Sequence, residues 1–306
     1  MKKVINFAIM CAAMFVFCGC MCTSDKKAEV KTAPVKKAGS AVKEATPASK
    51  YRVTIHLVGD STCAYYPVGR SPLTGWGQVL KEFCKGDVRV NNQAYSGYSS
   101  TSYIYSKRWE RLIDMVSPGD YVIIQFGHND EKKGPRHADV KTTYPANLKK
   151  FITEVRAKKA NPVIATSISR CIFKSGKIAS SGLDRYREAA IAVAKAENVP
   201  VIDLKNITAE KFNKMGETKA FALFRGRYTE RPRKKVAVKP VAQTVSPAQI
   251  ATANNNSPAA AEKIILPGSV QKVDRTHLVR SGALEVAGWF VNDCKAQKMP
   301  LAECFK

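Results

Sequence analysis

The sequence of 306 residues has few acidic side chains, few histidines and no repeated pattern. The absence of heptads, of a collagen-like period and of any repeat of roughly 20 to 50 residues argues against coiled-coil, fibrous and solenoid architectures. The nine cysteines form no Cys-x-x-Cys pair and no cluster with histidine, so we expect no zinc site and no other metal. With only four histidines, the sequence has few candidates for a catalytic base.

The shortage of acidic residues leaves a large positive charge. The chain has 50 Lys and Arg against 25 Asp and Glu, a formal net charge of +25. Such a charge is typical of proteins that bind nucleic acid or another polyanion. However, 12 of the 25 net charges lie in residues 2–3, 23–50 and 225–240, and none of these segments has the pattern of a folded element. We therefore predict no nucleic-acid partner.

Residues 1–22 have the pattern of a signal peptide. Lys2 and Lys3 precede an apolar run over residues 4–17, and small residues and Cys20 follow it. Residues 17–20, Phe-Cys-Gly-Cys, are similar to the cleavage site of a bacterial lipoprotein, which predicts a lipid on Cys20. An ordinary cleaved signal and an uncleaved membrane anchor are the alternatives. We predict an exported protein of the cell envelope, lipid-anchored at the outer surface or in the periplasm.

Two further features concern the organisation of the chain. Residues 23–50 are rich in Lys, Ala, Pro and Ser and have almost no large apolar side chain, which predicts a disordered tether. The folded domain is then expected over residues 51–306. Within it, Cys294 and Cys304 could form a disulfide, a pairing that the sequence leaves open.

Apolar patterns in this domain alternate between strands and helices. This alternation predicts an α/β fold, with a parallel sheet and helices on both of its faces. Ser281 could cap the last helix, whose buried stripe contains Leu284, Ala287 and Val291. We predict strands at residues 51–58, 87–90, 121–126, 162–165 and 199–202, and the earlier helices at 76–83, 109–116, from about 148 onward and at 184–196.

Chemically useful side chains follow the first three predicted strands. In parallel sheets ligands collect at the carboxyl ends of the strands, where the strand order reverses. The first strand runs into Gly59-Asp60-Ser61-Thr62, the second into a loop that ends at Gly97, and the third into Gly127-His128-Asn129-Asp130. Near the C-terminus, a loop carries Asp274 three residues before His277, and a carboxylate so placed can orient the imidazole.

These four blocks, in this order, resemble the SGNH (GDSL-like) hydrolases. The rhamnogalacturonan acetylesterase branch is similar in finer features, which are Thr62 after the serine, Gly-Trp-Gly at 75–77, Gly-Asp-Tyr at 119–121 and Asp-x-Thr-His-Leu at 274–278. The resemblance covers about residues 51–224 and 271–306. It implies a three-layer α/β/α sandwich with a flavodoxin-like five-stranded parallel sheet.

The resemblance also implies a role for each block. Ser61 would be the nucleophile, His277 the general base and then the general acid, and Asp274 the residue that orients His277. The oxyanion hole would consist of the backbone N–H groups of Ser61 and Gly97 and the side-chain amide of Asn129. These residue types suit the chemistry, because a serine hydroxyl needs a base and the oxyanion needs preorganised donors.

Other residues of these loops have less specific expected roles. We predict that His128 and Tyr98, which adjoin Asn129 and Gly97, contact the substrate. No metal and no other cofactor is required by this mechanism. The protein is expected to be a monomer.

The sequence departs from the family pattern at two places. Members commonly carry Arg-Ser-x-Arg-Ser after the glycine of the second block, whereas residues 98–102 here are Tyr-Ser-Ser-Thr-Ser. The loss of both arginines weakens the case for an acidic substrate backbone. The second departure is a basic insertion over about residues 225–270, which we predict to be disordered. It could be an arm that gathers anionic polysaccharide or a solvated segment with no role.

The sequence thus predicts an exported serine esterase that removes O-acetyl groups from a polysaccharide, with pectic rhamnogalacturonan as the favoured substrate. One alternative is an esterase of the same fold that acts on another acetylated glycan, a lipid or a small acyl ester. An alternative of another class is a surface protein that binds polyanions and has a vestigial hydrolase site.

Overall fold

The structure is a computed structural model that describes residues 50–230 and 270–306, all within the unit Ala48–Lys306. In chain order its strands are β1 (Val53–Gly59), β2 (Val88–Asn92), β3 (Tyr121–Gln125), β4 (Asn161–Ala165), β5 (Phe173–Lys174), β6 (Lys177–Ile178), β7 (Val201–Ile202), β8 (Phe224–Glu230) and β9 (Val270–Leu278). Its α-helices are α1 (Trp76–Val79), α2 (Ser100–Tyr105), α3 (Arg108–Ile113), α4 (Thr143–Ala157), α5 (Leu183–Ala196), α6 (Leu204–Met215), α7 (Glu217–Phe221) and α8 (Arg280–Ala296). Short 3-10 helices cover Leu80–Phe83 and Pro300–Cys304.

Five parallel strands form the central sheet in the order β2-β1-β3-β4-β7. This order confirms the predicted flavodoxin-like sheet. It places β1 between β2 and β3, so that the loops after these three strands are neighbours at one edge of the sheet. That edge is the one at which ligands bind in open parallel sheets.

Helices cover both faces of the sheet because its strands are apolar on both sides. Along β3, Val122 and Ile124 belong to one core cluster and Ile123 belongs to the other. On the Ile123 side, the rings of Trp76 in α1 and Phe290 in α8 stack 5.0 Å apart. On the other side, α3 and α4 pack with the rings of Trp109 and Phe151 at 4.3 Å. The result is the expected three-layer α/β/α sandwich.

Several local features differ from the sequence predictions. Helix α8 begins at Arg280 after Val279, with no side-chain cap, so the predicted Ser281 cap is wrong. Helix α2 was missed because its polar Ser/Thr/Tyr sequence has no apolar period. A capping box starts it instead, in which the side chains of Ser99 and Ser102 each accept a hydrogen bond from the other residue's backbone N–H.

The segment that carries Asp274 and His277 is strand β9 and not the predicted loop. It pairs with β8 in an antiparallel hairpin. Residues 225–230 therefore belong to a strand, which corrects the predicted start of the insertion. Residues 231–269, the signal segment with Cys20 and the tether over 23–49 lie outside the described residues.

The cysteines of the described residues are all buried free thiols. Cys294 and Cys304 are among them, so they form no disulfide in this structure. Within residues 50–230 and 270–306, no group of three or more His, Cys, Asp or Glu side chains has a metal-binding arrangement. No helix in the same ranges is both long and apolar enough to cross a membrane.

Asp120 connects three segments at the amino ends of the central strands. Its carboxylate accepts hydrogen bonds from the backbone N–H groups of Thr54 and Ser117, at 2.8 and 3.0 Å, and from Nε2 of His56 at 3.2 Å. Burial by itself would raise the pKa of Asp120, but the bonds from His56, Ser117 and Thr54 outweigh it and lower the pKa.

We expect the substitution Asp120→Ala to lower the free energy of unfolding by about 2–3 kcal/mol, because it leaves buried donors unpaired. A lowered pKa means that the ionised carboxylate stabilises the fold at neutral pH. The difference from wild type should therefore shrink as acid protonates Asp120. Urea denaturation at several pH values measures this difference in the free energy of unfolding. Asp87→Ala, which removes an exposed carboxylate paired with Arg52, is the control with a much smaller expected change. Equal losses for both variants would contradict this account.

Candidate active site

Ser61 lies just beyond the carboxyl end of β1 in a tightly hydrogen-bonded turn. Oδ1 of Asp60 accepts bonds from the N–H and Oγ1 of Thr62, at 2.9 and 2.7 Å. Gln125, at the end of β3, donates from Nε2 to Oγ1 of Thr62 at 2.8 Å. These buried bonds tie the turn to the neighbouring strand, so the position of Ser61 is determined by the sheet. Ser61 itself keeps 7% of its surface exposed.

A chain of hydrogen bonds joins Ser61 to His277 and Asp274. Oγ of Ser61 lies 2.9 Å from Nε2 of His277, and Nδ1 of the same ring lies 2.8 Å from Oδ2 of Asp274. An ionised carboxylate can only accept, so the proton of the neutral ring belongs on Nδ1. Nε2 is then free to accept the hydroxyl proton of Ser61. The structure thus brings together the three residues that the sequence predicted as a triad.

A β-bulge in β9 lets the side chains of Asp274 and His277 point to the same side. Between the pairs Gly226–Asp274 and Phe224–Leu278, one residue of β8 lies opposite three residues of β9. In a regular strand, residues three apart would face opposite sides. Oδ1 of Asp274 closes the bulge by accepting the N–H groups of Thr276 and His277, both at 2.9 Å.

Electrostatics keep Asp274 ionised. Burial by itself would raise its pKa, but the hydrogen bonds from the His277 ring and from the backbone of His277 and Thr276 lower it below the usual value. A carboxylate that stays charged holds Nδ1–H of His277 in place. It would also stabilise an imidazolium if His277 took a proton.

The predicted oxyanion donors lie on the loops beside Ser61. The loop after β2 is joined to β1 by a bond from the N–H of Tyr95 to the carbonyl of Gly59 at 3.0 Å. Gly97 on this loop has a φ of +83°, a left-handed conformation that favours glycine. Within the described ranges, the N–H groups of Ser61 and Gly97 donate to no other protein group, so both are available to a ligand.

The side-chain amide of Asn129 is held in one orientation. Its Nδ2 donates to the carbonyl of Tyr98 at 2.9 Å, and Nζ of Lys132 donates to its Oδ1 at 2.8 Å. This leaves one N–H of the amide for a ligand. Sequence reasoning missed Lys132, because a lysine in a polar loop carries no signal that it contacts Asn129.

His128 and Tyr98, the predicted substrate contacts, have different surroundings. His128 is 2% exposed and neither ring nitrogen makes a hydrogen bond, so the ring lies in the wall of the site and not on its surface. Burial, with the positive charge of Arg170, holds its pKa well below the usual value. Tyr98 is half-buried, and its ring contacts those of Tyr95 and Tyr103 edge-on. Substrate contact by either residue stays a prediction.

Asp60 and Asp130, which adjoin Ser61 and Asn129 in the sequence, have buried carboxyl groups. Burial raises the pKa of Asp60. Oδ1 of Asp130 accepts from the N–H and Oγ of Ser100, at 2.9 and 2.5 Å, whereas Oδ2 is buried without a partner. Burial raises the pKa of Asp130 to about 7, although both bonds from Ser100 act in the opposite direction.

The fold and this site are those of a known class of enzymes. The model of the GDSL-like lipase/acylhydrolase family matches residues 57–223, more than half of the chain. The chain therefore belongs to this family of SGNH hydrolases and is a carboxylic ester hydrolase. Asp274 and His277 follow the matched range, so the hairpin of β8 and β9 supplies them from outside it.

Two curated relatives and one solved structure are similar to this chain over more than half of their own length. The rhamnogalacturonan acetylesterase RhgT of Bacillus subtilis is 35% identical over 175 residues, which cover 57% of this chain and 75% of the relative. The rhamnogalacturonan acetylesterase of Emericella nidulans is 28% identical over 184 residues, covering 53% and 71% of the two chains. The crystal structure of the protein YxiM from Bacillus subtilis superimposes with a TM-score of 0.60 at 25% identity, covering 81% of this chain and 57% of that one.

The raised pKa of Asp130 predicts a pH-dependent cost to stability. The folded protein holds this proton up to about pH 7, whereas the unfolded chain releases it near pH 4. The stability of the wild type should therefore fall progressively between these pH values, because ionisation of Asp130 stabilises the unfolded chain. Relative to wild type, Asp130→Asn should gain stability from pH 4 to 7 and show no further gain above that range. Thermal or urea unfolding across pH measures this difference. Asp139→Asn removes an exposed carboxylate whose pKa is lowered, so its difference from wild type should develop below about pH 4 and stay flat from pH 4 to 7. A flat difference for Asp130→Asn would contradict the assignment.

Proposed function

We propose that this protein is a Ser-His-Asp carbohydrate esterase that removes O-acetyl groups from a polysaccharide through an acetyl-enzyme. The observation that carries the proposal is the chain of hydrogen bonds from Ser61 through His277 to Asp274, at 2.9 and 2.8 Å. This geometry suits a general base that is within reach of the proton it removes.

In the first half-reaction, Oγ of Ser61 attacks the carbonyl carbon of the acetyl ester while Nε2 of His277 takes the hydroxyl proton. The carbonyl oxygen becomes an oxyanion, which the N–H groups of Ser61 and Gly97 and the amide of Asn129 stabilise. His277 then gives its proton to the sugar oxygen, the bond from carbon to that oxygen breaks, and the deacetylated glycan leaves.

In the second half-reaction, water replaces the sugar hydroxyl. Neutral His277 accepts a proton from the water, whose oxygen attacks the acetyl carbon bound to Ser61. The second tetrahedral intermediate uses the same donors, and its collapse returns the proton to Oγ of Ser61. Acetate leaves and the resting hydrogen bonds form again.

The relatives support an acetylated glycan as the substrate. RhgT and the Emericella nidulans relative are both named rhamnogalacturonan acetylesterases, and pectic rhamnogalacturonan is therefore the substrate we propose. The low exposure of Ser61 also suits a small acyl group, because the reacting carbonyl must reach a largely buried hydroxyl.

We expect Ser61→Ala to reduce the rate of acetate release from acetylated rhamnogalacturonan by at least about 1,000-fold, since it removes the nucleophile. The same loss should occur with p-nitrophenyl acetate, and a fluorophosphonate should label the wild type at Ser61. Ser117→Ala, an exposed serine at the opposite end of the sheet, is the control that should keep its activity. Equal activity of Ser61→Ala and wild type would contradict the triad. An inactive wild type would favour the alternative of a surface protein that binds polyanions and has a vestigial hydrolase site.

We further propose that the enzyme is exported and attached to a membrane by a lipid on Cys20. The charged start, the apolar run over residues 4–17 and the sequence Phe-Cys-Gly-Cys support this proposal. Residues 23–50 would then act as a tether that separates the domain from the membrane surface.

Intact-mass spectrometry of protein extracted from membranes should show a chain that begins at a diacylglyceryl Cys20. The variant Cys20→Ser should lack the lipid and leave the membrane fraction, since the thiol is the attachment atom. Cys22→Ser, two residues further on, is the matched control that should retain the lipid. A mature chain without Cys20, or with an unmodified one, would contradict lipid attachment.

A further inference from the structure

Lys132 bonds to the side-chain amide of Asn129, the predicted oxyanion donor. Its Nζ lies 2.8 Å from Oδ1 of Asn129, and the backbone N–H of Lys132 donates to the carbonyl of Asn129 at 3.2 Å. The turn after β3 therefore brings the lysine back to the asparagine three residues earlier. A lysine side chain can only donate hydrogen bonds, so the atom of the amide that faces it must be the oxygen.

The nitrogen of the same amide faces a carbonyl oxygen. Nδ2 of Asn129 donates to the carbonyl of Tyr98 at 2.9 Å, and a carbonyl can only accept. A half-turn of the amide would put its NH2 group against the ammonium group of Lys132 and its oxygen against the carbonyl of Tyr98. Both contacts would then be repulsive, so the two neighbours fix the orientation in which Nδ2 keeps one N–H for an oxyanion. Asn129 is buried, so water competes little for these bonds.

A cation on Oδ1 also changes the strength of the amide as a donor. Hydrogen bonds to charged groups are about twice as strong as bonds between neutral groups, and bonds in a chain polarise one another. The ammonium group of Lys132 draws electron density in the amide toward Oδ1, which leaves the N–H groups on Nδ2 more positive. Donors stabilise an oxyanion best when they are fixed and polar before the reaction.

The surroundings of Lys132 repel a cation. Burial and the charges of Arg136 and Arg170 lower the pKa of Lys132. The carboxyl groups of Asp60 and Glu131 act in the opposite direction, but Glu131 forms its ion pair with Arg170. A lysine held against such repulsion is more typical of a functional site than of a contact that stabilises the fold.

We propose that Lys132 is a positioning residue of the esterase reaction, which acts through Asn129 by fixing the amide and strengthening it as an oxyanion donor. The inference rests on the proposed function, because an oxyanion hole is needed only if Ser61 attacks an ester. It adds to that function a residue that touches neither the substrate nor the reacting atoms. Its contribution belongs to the transition state, so it should appear in kcat and not in KM.

The test measures hydrolysis of p-nitrophenyl acetate, which needs the oxyanion hole but no glycan. We expect Lys132→Met to lower kcat about tenfold with little change in KM, a part of the about 100- to 1,000-fold that one oxyanion donor contributes. Lys132→Arg keeps the charge and should restore most of the rate. Lys133→Met removes an exposed lysine of the same loop and is the matched control that should keep the wild-type rate.

A double-mutant cycle decides whether the lysine acts through the amide. In the background of Asn129→Ala, Lys132→Met should have almost no further effect, because the donor that the lysine strengthens is gone. Equal losses in both backgrounds would overturn the proposal. So would a wild-type rate in Lys132→Met, or the same loss in Lys132→Arg as in Lys132→Met.

The outcomes separate this inference from the proposed function. A wild type that cleaves p-nitrophenyl acetate but releases no acetate from acetylated glycans would refute only the proposed function, and the cycle would still decide the role of Lys132. If wild type cleaves no ester, the rate at which a fluorophosphonate labels Ser61 replaces hydrolysis, because the phosphoryl oxygen uses the same donors. Slower labelling of Lys132→Met would then support the inference, and equal labelling would refute it. An absence of labelling would refute both proposals.

Discussion

The geometry of the site depends on the hydrogen bonds that the carboxylate of Asp274 accepts. One oxygen accepts two backbone N–H groups and closes the bulge in β9, and the other accepts Nδ1–H of His277. The same group therefore shapes the backbone, aims the imidazole at Ser61 and selects its tautomer. Because these bonds also keep the carboxylate ionised, the geometry and the charge of the site have a common origin.

The rest of the site is positioned by the carboxyl ends of parallel strands. Ser61 follows β1, and the strands on either side of β1 lead to Gly97 and Asn129. Buried polar groups then join the loops to one another, with Gln125 bonded to the turn of Ser61 and Asp130 bonded to Ser100. Such a buried network is stable only when its members find partners, so each loop restrains the next.

Much of the fold and of the triad could be predicted from local patterns. The apolar strands, the helical stripes and the blocks around Ser61, Asn129 and His277 are all short in sequence. Part of what could not be predicted depends on contacts between distant segments. The hairpin of β8 and β9 joins strands that nearly forty residues separate, and the orientation of Asn129 depends on the carbonyl of Tyr98 in the loop after β2. The loss of arginine at position 98 is visible in the sequence, whereas the approach of Arg108 to the ring of Tyr98 is not.

By itself, the sequence determined the parallel sheet and its two buried faces and indicated which groups we propose to react, because these follow from apolar periodicity and from residue chemistry. Only the tertiary structure decided that Asp274 and His277 face the same way, since a strand without the bulge would separate them. It also decided where the positive charge lies, by stacking Arg108 on the loop of Gly97. The shortage of acidic residues is a property of composition, but the position of each cation depends on packing.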